Sequence, residues 1–207
     1  MTIASYSELV TELGDWLNRS DLSAKIPTFI RLFEARMNRL LRTPEMEQIS
    51  TIETVSGTES YALPSGFREA RQVYIAATPR VNLAPMSPQS LRIEFTGQET
   101  ASPAAYAIID EKIVLAPAPT GTDTLTIVHY RSLIGLDSGN TTNWLLDSHP
   151  DAYLYGSLAE AYAYLKDEAS AASYKGLADE VVAEIRDDAN RKRLTGGPLV
   201  TRPAVIE

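Results

Sequence analysis

Hydrophobic and polar positions along the chain change their period twice, and the changes divide it into three zones. From about Ser5 to Thr43 apolar residues recur at helical spacing. Ser5 and Glu8 stand three apart as in a capping box, and Tyr6, Leu9, Val10, Leu13, Trp16 and Leu17 then share one helical face. Asn18-Arg19-Ser20-Asp21 breaks this helix. A second helix is predicted from Pro27, because a proline in the first turn gives up only an N–H that would have no partner there. Phe29, Phe33, Met37, Leu40 and Leu41 form its apolar stripe, with Arg31, Arg36, Arg39 and Arg42 over the remainder, and Pro44 ends it.

From about Met46 to Leu136 the pattern becomes that of strands. Ile49 to Val55 alternates and is β-branched; Tyr61–Leu63, Val73–Ala76, Tyr106–Ile109, Lys112–Leu115 and Leu125–Tyr130 read as further short strands. Gly57, Pro64-Ser65-Gly66 and the Pro117–Gly121 stretch mark turns and loops, and Asp110-Glu111 is short enough for a hairpin. Ser87-Pro88 has the form of a cap and first-turn proline for one short helix before Phe95. Helical spacing returns with Ser148-His149-Pro150-Asp151, where Ser148 is the expected cap, and continues to about Leu165. Asp167-Glu168 starts a last helix bearing Tyr174, Leu177, Val181, Val182 and Ile185, and beyond Arg193 the pattern dissolves.

Two helices on either side of a β zone each need an apolar partner, and the two pairs can supply it to one another. The predicted fold class is therefore α+β. It has a four-helix bundle built from the N- and C-terminal helix pairs (residues 1–45 and 147–193), an inserted antiparallel β domain (46–146) and an extended C-terminal tail (194–207). A lone β-sandwich with helical decorations is the alternative.

Composition narrows the function more than the fold. With 44% hydrophobic and 22% charged residues the chain is an ordinary globular one, and it has no cysteine, which removes disulfides, thiolate metal sites and cysteine nucleophiles. No apolar run reaches the length of a membrane helix, and the N-terminal residues lack the form of a signal peptide. A net charge of −8 argues against a protein that grips phosphate backbones, yet suits one past which nucleic acid must slide.

Candidate chemistry is sparse. His129 and His149 are the only histidines; Ser132 and Ser148 are available to them, but neither stands in a G-x-S-x-G elbow, and no second ligand lies at helical spacing for a metal. Asp110-Glu111, Asp151, Asp167-Glu168, Asp179-Glu180 and Asp187-Asp188 offer carboxylates, each with a local role at a turn, a helix start or a solvated face. Phosphate loops are absent, and Arg191-Lys192-Arg193 suits a helix C-terminus. No catalytic residue, cofactor or metal is expected. The segment after Pro150 is the most unusual: Ala152, Gly156, Ala159 and Ala163 form a small-residue stripe that allows close helix approach, beside a second stripe of Tyr155, Leu158, Tyr162 and Leu165. Tyr155 and Tyr162, with Arg36 and Arg39, are the candidate subunit-interface residues.

Three stretches in order resemble the head-to-tail adaptor (connector, or neck) proteins of tailed bacteriophages, to which the tail tubular A proteins are similar in role. They are Ile26–Arg42, the run Tyr61-Ala62-Leu63-Pro64-Ser65-Gly66-Phe67-Arg68-Glu69, and Thr142–Leu146 followed by Pro150–Gly156. The resemblance extends to about residue 190. It implies a structural virion protein of the neck, assembled in the host cytoplasm. It further implies a homo-oligomeric, dodecameric ring that docks to the portal protein and to tail or nozzle proteins and lets DNA pass without specific binding. The tail, with Leu199, Val200, Arg202, Val205 and Ile206, is the candidate portal-docking segment, seated in a groove or along a sheet edge. Two rivals make different demands. A ligand- or glycan-binding β module of a tail protein needs exposed aromatics on the β zone, whereas Tyr153, Tyr155, Tyr162, Tyr164 and Tyr174 concentrate in the helices. A carboxylate-dependent hydrolase needs paired acids across a cleft.

Overall fold

In the computed structural model, which describes residues 3–98 and 100–194, the capping signal at Ser5 opens the first helix. Ser5 Oγ accepts from the Glu8 N–H, and the Glu8 carboxylate reaches back to the N–H of Ala4. Helix α1 (Tyr6–Leu17) ends where Asn18 adopts a left-handed conformation (φ 49°), and α2 (Ile26–Leu40) carries its proline in the first turn. Later come α3 (Pro88–Glu94), α4 (Trp144–Ser148), α5 (Pro150–Tyr164) and α6 (Glu168–Leu194). The strands are β1 (Glu47–Glu53), β2 (Ser60–Ala62), β3 (Phe67–Ile75), β4 (Val81–Asn82), β5 (Ala84–Pro85), β6 (Ala105–Ile109), β7 (Lys112–Ala116) and β8 (Thr124–Arg131). The fold class is thus α+β, with six α-helices and two sheets among the described residues.

The chain divides into two compact units: a helical unit, comprising the described residues up to Glu45 and from Leu133 onward, and a β unit, Met46–Ser132. In the helical unit α5 is central, packing against α1, α2, α4 and α6. Its buried residues run almost around the helix, from Ala152 through Tyr153, Leu154, Gly156, Ser157, Leu158 and Ala159 to Ala161. A helix apolar on all sides is one that neighbours surround. The small-residue stripe explains how closely they come: a Cβ placed on Gly156 would lie 2.1 Å from Cδ2 of Phe33 on α2. The Phe33 ring therefore occupies the space that any larger residue at 156 would need, and it packs edge-to-face with Tyr153, ring centres 5.1 Å apart.

Two expectations for this unit are corrected. Ser148 does not cap α5; it is the last residue of α4, which Asn143 caps by accepting from the Leu146 N–H, so that His149 becomes the junction between the two helices. The reason is that Asn143 nucleates a turn of helix ahead of Pro150. Leu40 and Leu177, assigned to apolar stripes, are 40% exposed, and the inward face of α6 is carried by Ala178, Val182, Ile185 and Ala189.

The β unit has two four-stranded sheets, ordered β1-β8-β3-β4 and β2-β7-β6-β5, all antiparallel except for the short β5–β6 pairing. Val73, Ile75, Leu125 and Ile127 of the first sheet share one core with Tyr61, Tyr106, Ile113 and Leu115 of the second. The alternation of β-branched and polar residues puts those side chains on the inner faces. Asp110 and Glu111 form the expected β6–β7 hairpin turn, both at positive φ (49° and 56°), as a two-residue loop with the right twist requires. Strand β3 is longer than the pattern predicts because two bulges interrupt its alternation, between Phe67 and Glu69 and between Ala70 and Gln72.

Candidate functional site

On the helical unit, α1, α5 and α6 bring four aromatic side chains together. Trp16, at the end of α1, meets Tyr155 of α5 edge-on at 6.3 Å and Tyr174 of α6 at 6.2 Å. Tyr162, two turns beyond Tyr155, stacks on Tyr174 at 5.3 Å with the rings only 5° from parallel. Tyr155 and Tyr174 lie 6.5 Å apart. These separations fall in the range where aromatic pairs attract beyond the area they bury. The rings are not core: Trp16 is 45% exposed and the three tyrosines are half-buried. Burial, followed by the proximity of Tyr174 and Asp167, pushes the Tyr162 phenol above its ordinary value. The cluster is a partly exposed aromatic surface of uncharged side chains, and Tyr and Trp are enriched at protein contacts in general.

The other two sequence candidates are not part of it. Arg36 is half-buried on α2 and ion-pairs with Asp179 of α6, which also takes Lys175 at 3.0 Å, so Arg36 ties two helices together. Arg39 is exposed and makes no ion pair among the described residues. Leu199, Val200, Arg202, Val205 and Ile206 lie outside the described residues. Arg191-Lys192-Arg193 closes α6: Lys192 pairs with Glu45 at 2.7 Å and with Asp188 at 3.0 Å, and Arg193 donates to the carbonyl of Arg42.

Sequence reasoning missed the polar centre of the helical unit. Glu34 is only 5% exposed, and its Oε1 accepts from the N–H of Leu136 at 2.7 Å and from the hydroxyl of Tyr153 at 3.0 Å. Asn143 donates to the same hydroxyl at 2.7 Å and to the carbonyl of Ile134 at 2.8 Å, while Asn38 accepts from the Leu133 N–H at 2.8 Å. Burial pushes the Glu34 carboxyl above its ordinary value, and the two hydrogen bonds oppose that shift. Four side chains thus hold the irregular segment 133–136 against α2 and α5. The signal was present: Ile30, Glu34, Met37 and Leu41 are at i, i+4, i+7 and i+11, which places the carboxylate on the apolar stripe.

In the β unit, His129 is fully buried on β8 against Phe67, and its partner is Ser50 of β1 at 3.0 Å rather than Ser132 or Ser148. Its Nδ1 lies 3.2 Å from the Tyr130 carbonyl, which can only accept, so Nδ1 is the donor of that contact. The carboxylates keep local roles: Asp110-Glu111 at the hairpin tip, Asp151 in the first turn of α5, Asp167 accepting from the Ser170 N–H. Tyr61, Tyr106 and Tyr130 are buried, and a groove of about 690 Å³ beneath α3 is lined by Leu91, Phe95, Ile109 and Val114 with Arg92 and Lys112 among its polar residues. Among the described residues, no group of three or more His, Cys, Asp or Glu could hold a metal ion, and no helix is long and apolar enough to cross a membrane.

No curated protein matches the chain at a significant level. Residues 4–202 match the family described as SU10 adaptor protein, and the chain, with its β unit set between two helical segments, belongs to that family of structural phage adaptors.

Proposed function

We propose that this protein is a head-to-tail adaptor subunit that forms a dodecameric ring joining the portal to the tail or nozzle proteins of the virion, with DNA passing through its lumen. The family match over residues 4–202 carries this reading, because it spans the helical and β units together. Its role is then close to that of the tail tubular A proteins. Work of this kind is done by shape and repeated contact. Long helices α1, α2, α5 and α6 act as a four-helix bundle, a reading supported by the contacts of α5 with the other three. The β unit serves as a separate module, and residues 194–207 are the third working part.

Charge supports the passage of DNA. Each copy carries −8, and repeated around a ring this builds a negative field that keeps a polyanion moving rather than bound. Tyr155 and Tyr162 are proposed to face a neighbouring copy, and Leu199, Val200, Arg202, Val205 and Ile206 to dock on the portal. Native mass measurement and negative-stain imaging, with and without the portal protein of the same virion, test this. Rings in the presence of portal are the expected result, and a chain that stays monomeric there refutes it. Deleting residues 194–207 is expected to weaken portal binding while leaving the helical and β units folded; unchanged binding removes the tail from the account.

A further inference from the structure

Closing a ring from identical copies requires two different patches on each copy that fit one another. On the ring reading above, two faces of the helical unit must be complementary. On α2, Thr28, Leu32, Ala35 and Arg39 recur at i, i+4, i+7 and i+11 and are all exposed, Leu32 by 49%. Arg31 stands beside them, also exposed. The Leu32–Arg39 part of this face is apolar and cationic, since the one acid of α2, Glu34, is turned inward and the exposed Asp137 lies near Arg31 rather than Arg39.

The opposite chemistry lies on α1 and the rings it touches. Glu8, Glu12 and Asp15 recur at i, i+4 and i+7, with Trp16 four residues after Glu12, and α1 has no Lys or Arg. Asp167 and Glu168, at the start of α6, add exposed acids to the elements that carry Tyr162 and Tyr174. Glu8 is engaged in starting its helix, but among the described residues neither Glu12 nor Asp15 has an ion pair. An exposed indole edged by stacked tyrosines thus lies beside uncompensated carboxylates.

We propose that the α2 face bearing Leu32 and Arg39 of one copy docks on the acid-aromatic face bearing Glu12, Asp15, Trp16, Tyr155, Tyr162 and Tyr174 of the next. The Arg39 guanidinium suits this surface because it is planar and weakly hydrated, so it can lie over an aromatic ring while donating to a carboxylate. Trp, Tyr and Arg are also the side chains on which binding energy concentrates. The contact joins unlike faces, so it propagates from copy to copy.

Charge reversal tests it. The variant L32E/R39E has two acidic faces, and E12K/D15K has two basic ones. Every substituted position is at the surface of a helix except the half-buried Glu12, and matching circular dichroism melts check that both variants fold. By sedimentation velocity with and without portal, each variant alone is expected to associate at least roughly tenfold more weakly than the native chain, equivalent to about 1.4 kcal/mol. The two mixed in equal amounts are expected to regain assembly, because the reversed faces complement one another. If either reversal fails to fold, Arg39→Gln and Glu12→Gln/Asp15→Asn replace them, and each must weaken assembly. Variants that assemble like the native chain, or a mixture that stays dispersed, overturn the face pairing while the adaptor reading stands. A native chain that never self-associates, alone or with portal, overturns both.

Discussion

Gly156 offers the sharpest test of how α2 and α5 are packed. Replacing it with alanine adds one methyl group to an α-helix interior, where intrinsic propensity alone favours alanine by about 1 kcal/mol. The structure predicts the opposite sign. That methyl would sit 2.1 Å from Phe33 Cδ2 and 2.3 Å from Cε2, whereas carbon atoms rest at about 3.5–4.0 Å. Phe33 is 1% exposed and is held edge-on against Tyr153, which is fully buried, so the ring has no free space to enter. Overpacking of this kind costs typically ~1–3 kcal/mol, and a contact so far inside van der Waals distance belongs at or above the upper end. After the propensity gain, G156A is expected to lose about 2 kcal/mol. In a chain of this size each kcal/mol lowers Tm by about 2–4 °C. Thermal melts followed by far-ultraviolet circular dichroism measure this, and F33L is the control. Shortening the ring makes room for the methyl, so the double variant should be more stable than the sum of the single losses by at least about 0.5 kcal/mol. A raised Tm for G156A, or strict additivity with F33L, would show that the helices do not approach as described.

The remaining predictions concern polar groups and one turn. The Glu34 carboxyl is raised by burial, so the folded state holds its proton more tightly than the unfolded chain; the resulting stability is fully present below the unfolded carboxyl range and is lost as pH rises through the raised folded value. E34Q, which keeps an acceptor for Tyr153 and Leu136 without the charge, should flatten that part of the stability–pH profile in denaturant titrations, and an unchanged profile would refute the assignment. N143A removes the α4 cap together with the ties to Ile134 and Tyr153, and a loss of about 1–3 kcal/mol in urea unfolding is expected. Glu111 sits at φ 56°, so E111G should raise stability by about 0.5 kcal/mol, and a loss would mean that its side chain contributes more than its backbone strain costs.

Much of the fold was legible because single residues announce it. Ser5 caps α1, Pro27 stands in the first turn of α2, Ser87 caps α3 and Asp110-Glu111 turns the hairpin, each for a reason local to the backbone. What could not be read depends on neighbours distant in the chain. Two-residue strands such as β4 and β5 have no period to detect. Asn143 and Ser148 are equally good caps, and only the structure shows that the first is used for α4 and the second is not used. Glu34 follows the apolar spacing, but a carboxylate on such a stripe reads as a surface residue until Tyr153 and Leu136 are seen to donate to it. At the candidate interface, the tyrosines of α5 stood out by composition, whereas Trp16 and Tyr174 were placed in apolar stripes and only the fold groups them with Tyr155 and Tyr162.

The pairing of β1 with β8 sets Glu47 opposite Tyr130, so the first and last strands of the β unit are neighbours in one ladder. The chain therefore leaves and returns at nearly the same point, within the ~5 Å spacing of adjacent strands. A segment with such closely set ends behaves as a cassette. It can be lengthened, shortened or exchanged for another module without redirecting the helices before or after it. Insertions or deletions in residues 46–132 can then be taken up inside the β unit, whose two end strands stay paired.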